Sequence, residues 1–233
     1  MAQPVVRFTG ERDGCGALRD GFLTAFVNVS CVQPIHELDQ YATAFDQWLS
    51  VLSRLGLHAR HITLDGRLAI WRRREVEGIT LRFRHAGLAL GDIVLLWNAD
   101  DPDHMAVDLG TGLERLAWAR SRHTWPELIF GTYSEAAPVA VLDAIRTATL
   151  LLGHGIIPAS RGPGSITRRV LATIPPDLSP LGISAAIRSD HDFWTSVEKL
   201  PAPWPAVTQL AEKELRRRRN GLQVGLPPTR GRR

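Results

Sequence analysis

Residues 78–85 alternate without a break, with Ile79, Leu81, Phe83 and His85 on one face of an extended chain and Thr80, Arg82 and Arg84 on the other. A period of two predicts a half-buried strand. A second strand follows at Ile93 to Trp97, where a short run is apolar throughout, reads as a central strand buried on both faces, and ends at Asn98. The segment before these strands has another period. Leu38, Tyr41, Phe45, Trp48, Leu52 and Leu55 recur at steps of three and four and predict a helix ending at Gly56. Leu57 to Leu64 reads as strand-like, and a short strand at Met105 to Asp108 leads through Gly110 and Gly112 into a helix carrying Leu113, Leu116 and Ala117. Helical patterns then dominate, at Pro138 to Leu152, at Pro163 to Thr173, and in a charged helix at Val207 to Arg219. Strands early and helices late predict an α+β domain, an antiparallel sheet flanked by helices, followed by a helical subdomain. The expected boundaries are 1–130 for the sheet domain, 131–215 for the helical subdomain and 216–233 for a basic, disordered tail.

A chain of 233 residues with 44% hydrophobic content can bury a full core without staples. Cys15 and Cys31 form no CxxC pair or metal-ligand spacing, so both are expected as reduced thiols and the protein as cytoplasmic. No apolar stretch approaches the roughly 18 residues of a membrane span, so no membrane partner is expected. The histidines show no zinc pattern apart from His58-x-x-His61, whose strand-like setting would put the rings on opposite faces, so no metal site is predicted. Positive charge is carried almost wholly by arginine, since Lys199 and Lys213 are the only lysines. Arginine suits phosphate and carboxylate, although a GC-rich genome produces the same bias. Two basic clusters, Arg216 to Arg219 and Thr229 to Arg233, could attract RNA or merely solubilise the chain.

The stretch richest in chemistry is Val107-Asp-Leu-Gly-Thr-Gly-Leu-Glu-Arg-Leu-Ala117. Two glycines allow a ligand close to the backbone, Asp108 offers a carboxylate to an ammonium, and Arg115 in the first helical turn can point back toward the sheet. On physical grounds alone a structural turn is the stronger reading, since glycine turns before helices are common.

This stretch resembles the third class II motif as alanyl-tRNA synthetases write it, Val-Asp-Thr-Gly-Met-Gly-Leu-Glu-Arg. Leu96-Trp97-Asn98 resembles the family's Ile-Trp-Asn, and Ile145-Arg146, Gly155-Ile-Ile-Pro158 and Arg168-Arg169 resemble the segment joining its catalytic domain to its tRNA-binding helices. Val5-Val-Arg-Phe8 and Phe22 to Ser30 resemble the two strands of the second motif. The likeness runs from about Val6 to Leu171, with the first motif expected to be missing.

The resemblance implies a class II aminoacyl-tRNA-synthetase-like sheet, with a small amino acid, alanine foremost, ATP with Mg2+, and tRNA or aminoacyl-tRNA as partners. Arg7 would hold the ATP α-phosphate and Arg115 the far end of the triphosphate. Asp108 with Asn98 would hold the alanine amino group, Trp97 would wall the pocket, and Gly110 and Gly112 would frame it. Arg146, Arg168 and Arg169 would face tRNA. Plain alternatives stand beside these roles: Arg7 near a terminus can be solvated, Trp97 can be core, and Asn98 can cap a turn. The sequence also departs from the family pattern, with Leu81, Leu95 and Thr24 where the family has glutamates, and Ser160-Arg-Gly-Pro-Gly164 where it has an asparagine-rich segment. Three readings result: an ATP-dependent aminoacyl ligase acting on a non-standard acceptor, a transferase that takes preformed alanyl-tRNA, and a non-catalytic tRNA-binding module.

Overall fold

The computed structural model describes residues 1–8, 10, 12, 18–178 and 180–224. Cys15, most of the loop Gly10 to Gly16, and the basic cluster Thr229 to Arg233 lie outside the described residues. The architecture is α+β, and two compact units divide it: Met1–Val5 with Phe26–Ile129, and Val6–Ala25 with Phe130–Arg233.

The first unit is built on a mostly antiparallel sheet. Its strands are β1 (Ala2–Val6), β2 (Ala25–Ile35), β3 (Ile62–Asp65), β4 (Trp71–Arg73), β5 (Val76–His85), β6 (Leu88–Asn98) and β7 (Met105–Gly112). They lie in the order β1-β2-β7-β6-β5-β3, with β4 also paired to β5. Helix α1 (Leu38–Arg54) starts where Gln40 Oε1 accepts the His36 and Glu37 N–H groups, at 2.7 and 3.3 Å. It stops where Gly56 takes φ +85°, a turn that an L side chain resists, and Leu57 N–H returns to the Leu52 carbonyl at 2.8 Å. Its apolar stripe covers one sheet face. Tyr41, Ala44, Phe45 and Trp48 pack on Ile35, Ile93, Val107 and Leu109, and farther along Leu52 and Leu57 close on Phe83, Leu90 and Leu116.

Three expectations change here. Residues 57–64 are not one strand, because Ala59–His61 forms a 3-10 turn before β3, so His58 and His61 do not alternate across a strand. Only Ile93 and Val94 of the central run are buried, and Leu95, Leu96 and Trp97 are half-buried. The third concerns the glycines. β7 does not end before Gly110 but runs through Gly112, because β2 pairs with it as far as Gly112 and β6 as far as Thr111. Helix α2 (Leu113–Arg120) starts directly from the strand end, and the short α3 (Trp125–Phe130) follows it.

The second unit is helical, with α4 (Val139–Gly153), α5 (Pro163–Ala172), α6 (Pro180–Val197) and α7 (Trp204–Val224). Every α4 residue from Val141 to Gly153 is buried, so α4 is the axis on which Val170, Leu171, Ile183, Ile187, Val207 and Ala211 pack. α7 continues through residues 216–224, which the sequence places in a disordered tail. The cause is visible. Arg218 donates to the Leu171 and Ile174 carbonyls at 2.9 Å each, and Arg219 donates to that of Pro176, so these side chains satisfy carbonyls left open at the end of α5. No helix among the described residues is long and apolar enough to cross a membrane.

Candidate functional site

Because α1 covers one face of the sheet, alternation assigns the other face its residues. β7 contributes Ala106, Asp108, Gly110 and Gly112, and β6 contributes Asp92, Val94, Leu96 and Asn98. The register fixes their neighbours. Asp108 lies between Val32 of β2 and Val94 of β6, Gly110 between Ser30 and Asp92, and Gly112 opposite Asn28.

Above Gly110 the strand carries no side chain, and a Cβ placed there would lie 3.7 Å from Asp92 Oδ1 and 3.8 Å from Asn28 Oδ1. Two oxygens thus converge over one glycine, with half-buried Asp108 two positions along the same strand. Arg115 closes the other end. Its Cγ and Cδ lie 3.7 and 3.9 Å from the Cβ position of Gly112, so the arginine stem folds back from α2 across the strand end. Gly110 and Gly112 are two residues apart, about 7 Å along an extended strand. The face therefore carries acceptor oxygens over Gly110 and the stem of an arginine over Gly112. Neither glycine serves as a turn. Gly91 on β6 meets a tighter constraint, because its Cβ would stand 2.0 Å from the Gly110 carbonyl oxygen.

Glu114, beside Arg115, is a structural bolt. It is 6% exposed, and both carboxylate oxygens accept the Val27 N–H at 3.1 Å, just beyond the last pair of β2 with β7.

Two predicted residues stand elsewhere. Asn98 is on the Asp108 face, but Val94 is the β6 residue opposite Asp108, and four residues of strand place Asn98 about 13 Å farther along. One ammonium cannot bridge that separation. Asn98 Oδ1 instead accepts the Asp100 N–H at 2.8 Å, which makes it the cap of the strand-to-loop turn. Trp97 alternates to the α1 face with Leu95, and its Nε1 donates to Glu77 Oε2 at 2.9 Å, so it does not wall the Asp108 face. The indole on that face is Trp71, which lies against Gly78 and donates to Thr80 Oγ1 at 3.0 Å. Asp92, Asn28 and Trp71 escape motif reading because each is identified by its cross-strand partner, Gly110, Gly112 and Gly78, and register is a property of the folded sheet.

In the second unit, Arg7 is exposed, and its N–H donates to the Thr24 carbonyl at 2.8 Å. Arg146 cannot face tRNA. It is 2% exposed, its guanidinium carbon lies 4.0 Å from the Phe193 ring centroid and 4.5 Å from that of Trp194, and Nε donates to the Ala25 carbonyl at 3.4 Å. An ion pair to Asp190 spans 3.7 Å. Burial pushes the Asp190 carboxyl up to about 7, against the pull of Arg146 and with added repulsion from Asp143. Asp143, which accepts the Thr24 N–H at 2.9 Å, is raised by burial too. Arg168 pairs with the nearly buried Glu214 at 3.4 Å, and exposed Arg169 stacks on Phe8 with its guanidinium carbon 4.2 Å from the ring centroid.

No group of three or more His, Cys, Asp or Glu among the described residues is arranged to hold a metal ion. No protein-family model matches the chain, and no curated protein matches it.

Proposed function

We propose that the chain is an alanyl-tRNA-synthetase-like aminoacyl ligase or transferase of the class II synthetase fold, which activates or transfers alanine or another small amino acid to a non-standard acceptor. The observation that carries this reading is the oxygen-lined niche over Gly110, with Arg115 folded across Gly112 on the same face. Asp108 and Asp92 suit an ammonium, and Arg115, whose stem lies over Gly112 two residues along the strand, suits the carboxylate or phosphate end of the same ligand.

In the adenylating form, a carboxylate oxygen of the amino acid bonds to the α-phosphorus of ATP as the bond to pyrophosphate breaks. Arg115 offsets the charge that develops on the phosphoryl oxygens, and no protein nucleophile is needed. Mg2+, if ATP brings it, would take most of its ligands from the phosphates. A second form, transfer from preformed alanyl-tRNA without ATP, draws support from Leu81, Leu95 and Thr24 standing where the family has glutamates, which leaves fewer carboxylates for the magnesium of ATP.

Gly110→Ala tests the reading. Its Cβ would make only ordinary contacts with Asp92 and Asn28, so the variant should fold with stability within about 1 kcal/mol of the parent. It should nevertheless lose alanine-dependent turnover by more than about a hundredfold, as a methyl group occupies the ammonium position. Full turnover in Gly110→Ala would sink the proposal.

A further inference from the structure

With Arg146 buried, a nucleic-acid partner needs another surface, and the outer edge of the sheet has the charge for one. Between Arg60 and Arg84 the chain carries seven arginines against Asp65, Glu75 and Glu77, a net of +4 that equals the formal charge of all 233 residues. Arg72 and Arg84 have protein partners in Glu77 and Asp65, at 3.4 and 3.2 Å. Arg67, Arg73, Arg74 and Arg82 are exposed and make no side-chain hydrogen bond or ion pair among the described residues. The edge is also aromatic. Trp71 is 38% exposed, held flat against Gly78 with Nε1 on Thr80, and its neighbours Leu68 and Ile70 are 79% and 62% exposed.

Register puts these groups in one line. Arg73 pairs with Val76, Trp71 with Gly78, and Arg82 lies two residues beyond Thr80, opposite Asp65 of β3 and Asp92 of β6, all on the face that also bears Asp108. From Val76 to Arg82 the strip runs about 20 Å, enough to follow several phosphates of one strand. At its tip Arg74 sits in the β4–β5 hairpin at φ +56°, a left-handed conformation that costs a non-glycine residue about 1–2 kcal/mol. The turn thus keeps an arginine where glycine or asparagine would be more stable.

We infer that the β4–β5 edge, with Trp71 flanked by Arg67, Arg73 and Arg82, is a docking surface for single-stranded RNA. The arginines track the phosphates, and the exposed ring of Trp71 stacks on an unpaired base. RNA is favoured because its loops and ends present unstacked bases, and a fixed indole between guanidinium groups recognises that chemistry. The inference does not rest on the reaction proposed above, and RNA binding and amino-acid turnover are measured separately.

Fluorescence anisotropy with a labelled 20-nucleotide oligouridine, titrated from 50 to 200 mM salt, tests it. The full chain should bind this strand about tenfold more tightly than an RNA duplex of equal length. Arg67→Ala combined with Arg73→Ala and Arg82→Ala should weaken binding at least about tenfold and reduce the log–log salt slope by about 2, at roughly 0.7 for each phosphate no longer neutralised. Its thermal midpoint should match that of the parent. Trp71→Leu should reduce the preference for single strand over duplex. Absence of salt-dependent RNA binding by the parent would overturn the inference. So would a triple variant of unchanged affinity and slope, or a parent that binds vesicles containing 30% phosphatidylserine but not RNA.

Discussion

The two units use arginine in opposite ways. In the helical unit Arg146 is enclosed by Phe193, Trp194 and Asp190, and Arg217 donates to Glu214 at 2.6 and 2.8 Å. Arg218 and Arg219 close carbonyls at the end of α5. In the sheet unit Arg67, Arg73, Arg74 and Arg82 are exposed and make no side-chain hydrogen bond or ion pair among the described residues. One residue type is therefore internal scaffolding in one region and an outward charge in the other. Composition cannot separate these roles, because both sets contribute equally to net charge. What separates them is the surrounding geometry: α4 is buried along its length, whereas β4 is a three-residue strand at the outer edge of the sheet.

The largest effect that would break this contrast lies at Arg146. Arg146→Ala empties a site enclosed by two rings and deprives the Ala25 carbonyl of its donor, so chemical denaturation should show a loss of about 3–5 kcal/mol. A loss under about 1 kcal/mol would mean that the arginine is not scaffolding.

The next effect is a pH dependence. Asp190 has a folded value of about 7 against an ordinary 3.8, so the folded state holds a proton that the unfolded chain releases. The resulting stabilisation is complete below about pH 4 and is lost as pH rises through 7, on the order of a few kcal/mol in total. Asp143 is shifted the same way and adds to it. Denaturation midpoints between pH 5 and 8 should fall with rising pH in the parent and stay flatter in Asp190→Asn, whereas identical slopes would contradict the buried cluster.

A smaller loss, about 1 kcal/mol, should follow Arg218→Ala as two carbonyls lose their donor. Hydrogen exchange should then speed up at the end of α5 before it does elsewhere. Smallest is the outward set: Arg73→Ala with Arg82→Ala should change stability by less than about 0.5 kcal/mol. A larger change would place these arginines inside the fold's own scaffolding.

Local periodicity predicts the elements better than it predicts the site. The stripe from Leu38 to Leu55 is α1, and the alternation of residues 78–85 is most of β5, because one pattern settles one element. The strand through Gly110 and Gly112 reads as a turn in the sequence, since glycines lose their turn preference only when ladders on both sides hold them extended. α6 is absent from the sequence reading even though it opens at Pro180, and Ile183, Ile187 and Trp194 fall at helical spacing and are buried. In the site, a local motif picks out Asp108 and Arg115, whereas it misplaces Asn98 and Trp97 because strand alternation and a distance of four residues decide what they face. Arg146 reads as outward because nothing local shows that α4 is enclosed.

In the proposed function, the face over Gly110 binds a small amino acid for activation or transfer. Amino-acid-dependent ATP–pyrophosphate exchange, run across the standard amino acids with the parent and Asp108→Asn, is the decisive measurement. Exchange with alanine or another small amino acid is expected, abolished in Asp108→Asn. No exchange with any amino acid by folded protein, joined to no transfer from alanyl-tRNA, would contradict it.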